Sequence, residues 1–413
     1  MKRILLVLGI VVVFAAVLGG GYWIRSRRGQ NITQTTPGAI DSFGLPTAPT
    51  APGIVQDETH NNGVLVGTKF GLVADIPAVD FFVDSKNTIT IVSPGGQIIQ
   101  VAPGSSSTLS ATPIENLASA LFSFDGRKVV VSFGLPAARQ YSVFDINTKT
   151  WQPLPQGIES VAWSPNDLRI AFFSVGDSVA NLSTLDLSNP KALPKAILPL
   201  HVQDLKVDWP KLDRIILIER GAAGILGSAY AVNLTTKAIT AITEDLSGLM
   251  LSWSKTVDRG LLFSSGASER GGYLNIVDGA GIITGLTITT FPEKCAFFIP
   301  RTTTTSLTIA TSSPKNTPKP PANSLAPGTS LVCGIPKNYP QLRIQALPDA
   351  YEKRAVFSVD DFYSIDVATG GLAPVFAQND YVLDADLVKI FGTKLFFVNR
   401  FDKRVYAIEL AEK

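Results

Sequence analysis

The chain of 413 residues is predicted to be all-β: a β-propeller, with seven four-stranded blades as the best count, preceded by one N-terminal transmembrane helix. Three observations predict this. A hairpin built around an aromatic residue recurs at intervals of forty-odd residues. A second hairpin, marked by Asp or Asn, keeps the same period. The amino end carries 21 consecutive uncharged residues, 4–24 (ILLVLGIVVVFAAVLGGGYWI).

Composition agrees with a β-rich fold. The chain is 45% hydrophobic and 17% charged, with 34 glycines, 27 prolines and two methionines, a balance that favours strands and tight turns over helical bundles. A formal net charge of +2, with no like-charge block longer than residues 25–28, argues against a nucleic-acid partner.

Residues 1–28 read as a membrane anchor with basic flanks, because ~20 apolar residues span the hydrocarbon core as a helix. Tyr22 and Trp23 sit where interfacial aromatics belong. Lys2, Arg3 and the small residues 15–21 leave a cleaved signal peptide as the alternative. Arg25, Arg27 and Arg28 nearly balance Lys2, Arg3 and the amino terminus, so charge does not orient the helix. Residues 29–63, rich in Thr, Pro, Ala and Gly, read as a flexible tether. A signal-like start followed by a long tether favours export of residues 64–413; a propeller facing the cytoplasm is the competing orientation.

The first hairpin is clearest in SVAWSPNDLRIAFFS (160–174). Trp163 is followed six residues later by Arg169 and then by an apolar strand. The same frame fits ALFSFDGRKVVVS (120–132) around Phe122, LSWSKTVDRGLLF (251–263) around Trp253 and, one turn residue shorter, VDWPKLDRIIL (207–217) around Trp209. The origins at 122, 163, 209 and 253 lie 41, 46 and 44 residues apart. Period-two alternation puts Val161 and Trp163 on one face of their strand, so Phe122, Trp163, Trp209 and Trp253 are assigned to packing between adjacent blades.

The second hairpin appears as YSVFDINTKTWQPL (141–154), AYAVNLTTKAITAI (229–242) and FYSIDVATGGLAPV (362–375), with looser copies from Leu182 and Tyr273. Two hairpins per repeat make a four-stranded unit whose faces are buried only by stacking around a ring. The first blade is compressed into residues 78–101, and residues 387–410 supply only three strands of the last. The segment VLVGTKFGL (64–72) is predicted to close the circle as the missing strand. Six blades remain compatible with the pattern.

The repeat breaks in the sixth blade. Between KCAFFIP and SLVCGIP lie residues 301–329, of which 17 of 29 are Thr, Ser or Pro, a composition that cannot bury a core. This reads as a mobile insertion on one rim, either a recognition or glycan-bearing loop or an idle one. The flanking strands bring Cys295 and Cys333 side by side, as a structural disulfide in an exported protein or as two buried thiols.

The repeats WSPNDLRIAF (163–172) and FSFDGRKVVV (122–131) resemble the WD-repeat-like propeller of the periplasmic TolB-like family, although the turn glycine is kept only at Gly126. The combination of the anchor with PEKCAFF, LVCGIPK, FSVDDFYSIDVATG and KLFFVNRFDKRVYAIEL is similar to membrane-anchored propellers of candidate-phylum bacteria. The resemblance implies architecture and no particular activity.

Chemistry-bearing motifs are sparse. Two histidines, His60 in the tether and His201, exclude a His-rich zinc site, and the cysteines lack metal spacing. No nucleophile-elbow, Walker or dinucleotide motif occurs, so no cofactor, metal or catalytic residue is assigned. The recurring Asp125, Asp145, Asp167, Asp186, Asp258, Asp278 and Asp366 read as turn formers. Lys128, Arg169 and Arg259 read as the solvated start of each second strand, with a ring of cations for an anionic ligand as the lesser reading. Two functions remain: a non-enzymatic binding or scaffold module for a protein, peptide or cell-envelope polymer, or a glycosidase-like propeller hydrolase. They differ in one geometric respect. A hydrolase needs unpaired carboxylates converging in the channel.

Overall fold

Repeated hairpins of apolar strands close into a ring. The computed structural model describes residues 69–410 except 177–178, 203, 267, 300–328 and 378–379, and within them builds seven four-stranded antiparallel sheets. The expected anchor (4–24), the tether (29–63) and almost all of the insertion at 301–329 lie outside the described residues. Among those described, no helix is long and apolar enough to cross a membrane.

The first strands of the blades are Asp80–Val83, Leu117–Phe122, Ile158–Trp163, Leu205–Lys211, Met250–Trp253, Cys295–Phe298 and Ala385–Phe391. They face one another around the central channel. Blade 1 is larger than its sequence suggests: a fourth strand, Ser105–Thr108, is exposed throughout and carries no apolar signal. Blade 7 is closed by a strand from the amino-terminal side of the domain, as expected, but over residues 70–74; of the expected 64–72 only 69–72 are described. Phe70–Ala74 adds as its outermost strand, Phe70 opposite Ile408 and Ala74 opposite Val405, so the two ends of the domain share a sheet and leave no open gap in the ring.

The four assigned aromatics each lie between two blades. Phe122 packs with Val92 and Ile98 of blade 1 and Val129 of blade 2. Trp163 packs with Val130 and Val143 of blade 2 and Phe172 of blade 3, and its indole N–H donates to the Leu121 carbonyl at 2.8 Å. Trp209 joins Phe173 of blade 3 to Ile215 of blade 4, and Trp253 joins Ile216 of blade 4 to Leu262 of blade 5. The basic residues that open the second strands are occupied. Arg169 pairs with Asp167 at 2.7 Å and lies over the Trp209 ring; Arg214 lies over the Trp253 ring. Lys128 pairs with Asp145, and Arg259 donates to the Asp258 carbonyl at 2.8 Å. These cations are therefore paired and do not form a free ring for an anionic ligand, while Arg169 keeps the partly solvated position expected of it.

Most of the recurring acids are turn formers. Asp145, Asp186, Asp278 and Asp366 each accept backbone N–H bonds two to four residues ahead. Asp258 departs from this: it accepts Lys211 and Arg214 from blade 4 and so ties two blades together. Burial works to raise the carboxyl of Asp258, but these two cations outweigh it and hold the group below the ordinary carboxylate range.

Blade 6 breaks the repeat twice, whereas the sequence pattern marks only one break. Residues 337–359, between its second and third strands, carry two short helices, Tyr339–Leu342 and Asp349–Glu352, and a cis bond before Pro348. Phe298 and Ser330, which flank the Thr/Ser/Pro-rich insertion, pair at the opposite end of the sheet. The two departures therefore leave from opposite faces of the ring. The chain enters the propeller at Phe70 on the same face as Phe298 and Ser330, because Phe70 sits beside the far end of the third strand of blade 7.

Candidate functional site

Residues 337–359 lie against one mouth of the channel, at the end where the first strands begin. Leu342, Leu347 and Tyr351 pack on Met250, Phe263 and Phe291 of blade 5 and the segment that follows it. Polar bonds hold the segment to its neighbours. The Ala223 N–H donates to Asp349 at 2.8 Å, the Gly271 N–H to the Gln345 carbonyl at 2.9 Å, and the Ser265 hydroxyl to the Leu347 carbonyl.

Beneath the insertion is a fully buried charge cluster. Lys294 donates to Asp360 at 2.6 Å, to the Ser358 hydroxyl at 2.7 Å and to Asp384. Arg400 donates to Asp384 at 3.0 Å and to the Tyr351 carbonyl at 2.8 Å. Two cations and two carboxylates balance, and the Asp360 oxygen that takes Lys294 also accepts the Ala385 N–H at 2.8 Å, while its other oxygen has no partner among the described residues. Burial alone would push the Lys294 ammonium down; Asp360 and Asp384 reverse this and raise it. Such a cluster is costly to break because removing one partner strands its counter-charge in a dry interior.

The cluster clamps Tyr351. Its ring stacks on Phe291 at 3.8 Å between centroids, and the Arg400 guanidinium carbon lies 4.0 Å from the ring centre. Only 6% of the residue is exposed, yet its hydroxyl has no hydrogen-bond partner among the described residues. Burial raises this phenol well above its ordinary value, and the charges of Asp386 and Glu293 raise it further. The hydroxyl therefore lies within the field of both carboxylates.

Glu293 and Asp386 come from the segment leading into blade 6 and from the first strand of blade 7. Glu293 Oε2 is enclosed without a hydrogen-bond partner, while one Asp386 oxygen accepts the Leu387 N–H at 2.9 Å. Both residues are half-buried. Burial raises the carboxyl of each; Lys206 partly offsets this for Glu293, and Arg400 and Lys294 do so for Asp386. Glu352 adds further negative charge near Glu293. Lys206 itself reaches the Leu251 carbonyl at 3.5 Å.

Lys389 pairs with Asp80 and donates to the Phe81 carbonyl at 2.8 Å. Lys255 is an exposed residue, yet desolvation by the surrounding protein lowers its ammonium; Asp208 opposes that, and Lys389 reinforces it. No group of three or more His, Cys, Asp or Glu able to hold a metal ion occurs among the described residues.

Phe122, Trp163, Trp209 and Trp253 lie in the interfaces between blades, away from this mouth. Cys295, which opens the strand directly after Lys294, faces Cys333 of the neighbouring strand Ser330–Pro336 in register as a disulfide, with sulfurs 2.12 Å apart. Sequence reasoning missed Glu293, Lys294, Tyr351, Asp360, Asp384, Asp386 and Arg400. The available signal was charge placed directly against apolar strands, in PEKCAFF and in the Asp-Ala-Asp at 384–386.

No family model matches the chain, and no curated protein is found similar to it. Its fold is similar to solved propeller structures. TolB from Acinetobacter baumannii matches at 12% identity and a TM-score of 0.40, over 80% of this chain and 63% of that one. This chain thus spans less than two thirds of that protein. The β-propeller domain of the Trilobed protease from Pyrococcus furiosus matches at 12% identity and 0.46, over 81% and 91%. An oligogalacturonate lyase in complex with manganese matches at 10% identity and 0.48, over 81% and 96%.

Proposed function

We propose that the chain is a non-enzymatic binding module whose ligand, a protein, peptide or cell-envelope polymer, engages the channel mouth formed by blades 5, 6 and 7. One observation carries this reading. Glu293 and Tyr351, from different elements, each hold an enclosed polar atom without a partner among the described residues, and the Asp386 carboxylate acts on both through its charge. Unsatisfied groups of this kind are costly to maintain and are retained where a ligand satisfies them.

A hydrolase reading draws on the same carboxylates. Division into acid and ionised base requires two carboxyl groups driven in opposite directions by their surroundings. Here burial drives Glu293 and Asp386 the same way. This favours binding over glycoside hydrolysis.

The uncharged residues 4–24 and the Thr/Pro-rich residues 29–63 support a membrane-anchored, extracytoplasmic setting. The mouth opens on the face opposite to Phe70, where the chain enters the ring. Photo-crosslinkers at Glu352 and at Leu193, both exposed, test the site in intact membranes. Adducts from position 352 and none from 193 are expected; adducts from 193 alone, or equally from both, contradict the reading.

A further inference from the structure

Lys294 and Asp360 meet where neither side chain has any exposure, with the ammonium nitrogen 2.6 Å from Asp360 Oδ2. Arg400 and the Ser358 N–H hold one oxygen of Asp384, each at 3.0 Å, and the other oxygen takes Lys294. Asp384 thus has a cation of its own in Arg400, and Lys294 is left as the counter-ion of Asp360. The two Asp360 oxygens differ. Oδ2 accepts both Lys294 and the Ala385 N–H at 2.8 Å, whereas Oδ1 is enclosed with no partner among the described residues. One oxygen is held as an amide oxygen is held, and the other is free to leave.

We propose that Lys294 and Asp360 condense into an intramolecular amide, an isopeptide bond that forms once the ring has closed. The step balances within the cluster. Asp384, which already accepts a hydrogen bond from the Lys294 ammonium, takes a proton from it and frees the Nζ lone pair. Nζ attacks Asp360 Cγ, the Cγ–Oδ1 bond breaks, and Oδ1 departs as water with two of the three ammonium hydrogens, carried by Asp384. Oδ2 becomes the amide oxygen and keeps the Ala385 N–H, a fixed donor placed where negative charge develops during attack. No metal, oxidant or second substrate is needed.

Three features favour this step. The two groups are held in contact by packing, which makes the condensation unimolecular. The site is dry, which protects the amide from hydrolysis. Condensation also replaces a buried ion pair, costly to desolvate, by a neutral amide and leaves Asp384 balanced by Arg400. Burial raises the Asp360 carboxyl despite Lys294, which brings its neutral acid within reach. The same two carboxylates hold the ammonium charged, so proton transfer from Nζ is the slow event.

The bond ties the segment that opens blade 6 to that blade's third strand, Asp360–Asp366. Together with the disulfide from Cys295 to Cys333, it encloses the insertion 337–359 in a loop closed by two side-chain bonds. Such closure restricts the unfolding of that loop.

Mass spectrometry of the full chain tests the proposal, after the folded protein has been held at neutral pH until its mass is constant and then reduced and denatured. The chain is expected to be lighter than its sequence by one water, trypsin to leave the bond after Lys294 uncut, and a branched peptide to join residues 294 and 360. Lys294→Arg and Asp360→Ala are each expected to restore the full mass, and Asp384→Asn to slow the loss of water. The wild-type result decides the matter even where a variant fails to fold. A folded wild-type chain of full mass that trypsin cuts after Lys294 overturns the proposal, as does a loss of water that maps to any other pair. Neither result bears on the channel mouth as a binding site.

Discussion

Lys294 Nζ lies 2.6 Å from Asp360 Oδ2, and both side chains are wholly buried. The pair joins the segment leading into blade 6 to that blade's third strand, with Asp384 of blade 7 on the same ammonium. Replacing Lys294 by Met leaves two carboxylates facing each other without their cation. A loss of about 3–5 kcal/mol is expected in urea denaturation, with partial recovery on adding Asp360→Asn. A loss below about 1 kcal/mol would show that the cluster does not hold the mouth together.

The wedge tryptophans differ in their polar atom. The Trp163 indole N–H donates to Leu121, whereas that of Trp209 has no partner among the described residues. Trp163→Phe is therefore expected to cost about 1 kcal/mol more than Trp209→Phe, since the volume lost is the same and only one substitution removes a hydrogen bond. Thermal melts of the two variants check the difference; equal costs would deny the bond any net worth.

Glu293 trades stability for its place in the channel. Its folded carboxyl is raised by burial, so the folded state holds the proton more tightly than the unfolded chain does. Stability therefore falls as pH climbs above the unfolded value of about 4.3. Glu293→Gln removes this penalty and should raise the melting temperature by about 2–4 °C at neutral pH, with the gain vanishing at about pH 4. A variant that is less stable at every pH would mean that the carboxylate is structurally required.

The closing strand Phe70–Ala74 covers the edge of Val405–Glu409. Deleting residues 1–75 bares that edge and uncovers Tyr406, whose ring lies 5.7 Å from that of Phe70. A lower melting temperature and concentration-dependent association are expected by light scattering. A monomer of unchanged stability would mean that the ring does not depend on its closure.

The blades were legible because each is local. Trp163, Pro165 and Arg169 fall within one hairpin, and the interval to Trp209 and Trp253 exposes the ring. Ser105–Thr108 was illegible because an exposed outer strand needs no apolar alternation. The ordered insertion escaped for another reason. Its helices of four residues are too short to show a helical period and are held by contacts from blades 4, 5 and 7. The buried cluster joins Lys294 to Asp360 and Asp384, 66 and 90 residues away, and only closure of the ring brings them together. The sequence marks blade 6 through residues 301–329, read as a recognition or glycan-bearing loop or an idle one, and gives no sign of the ordered segment 337–359.

The most direct test of the mouth as the binding site is carboxyl footprinting, comparing the chain in its native membranes with the purified chain. Glu293, Asp386 and Glu352 should be labelled in the purified chain and protected in membranes, while the exposed Glu115 and Glu159 are labelled equally in both. Equal labelling of Glu293 and Asp386 in the two preparations would contradict the account.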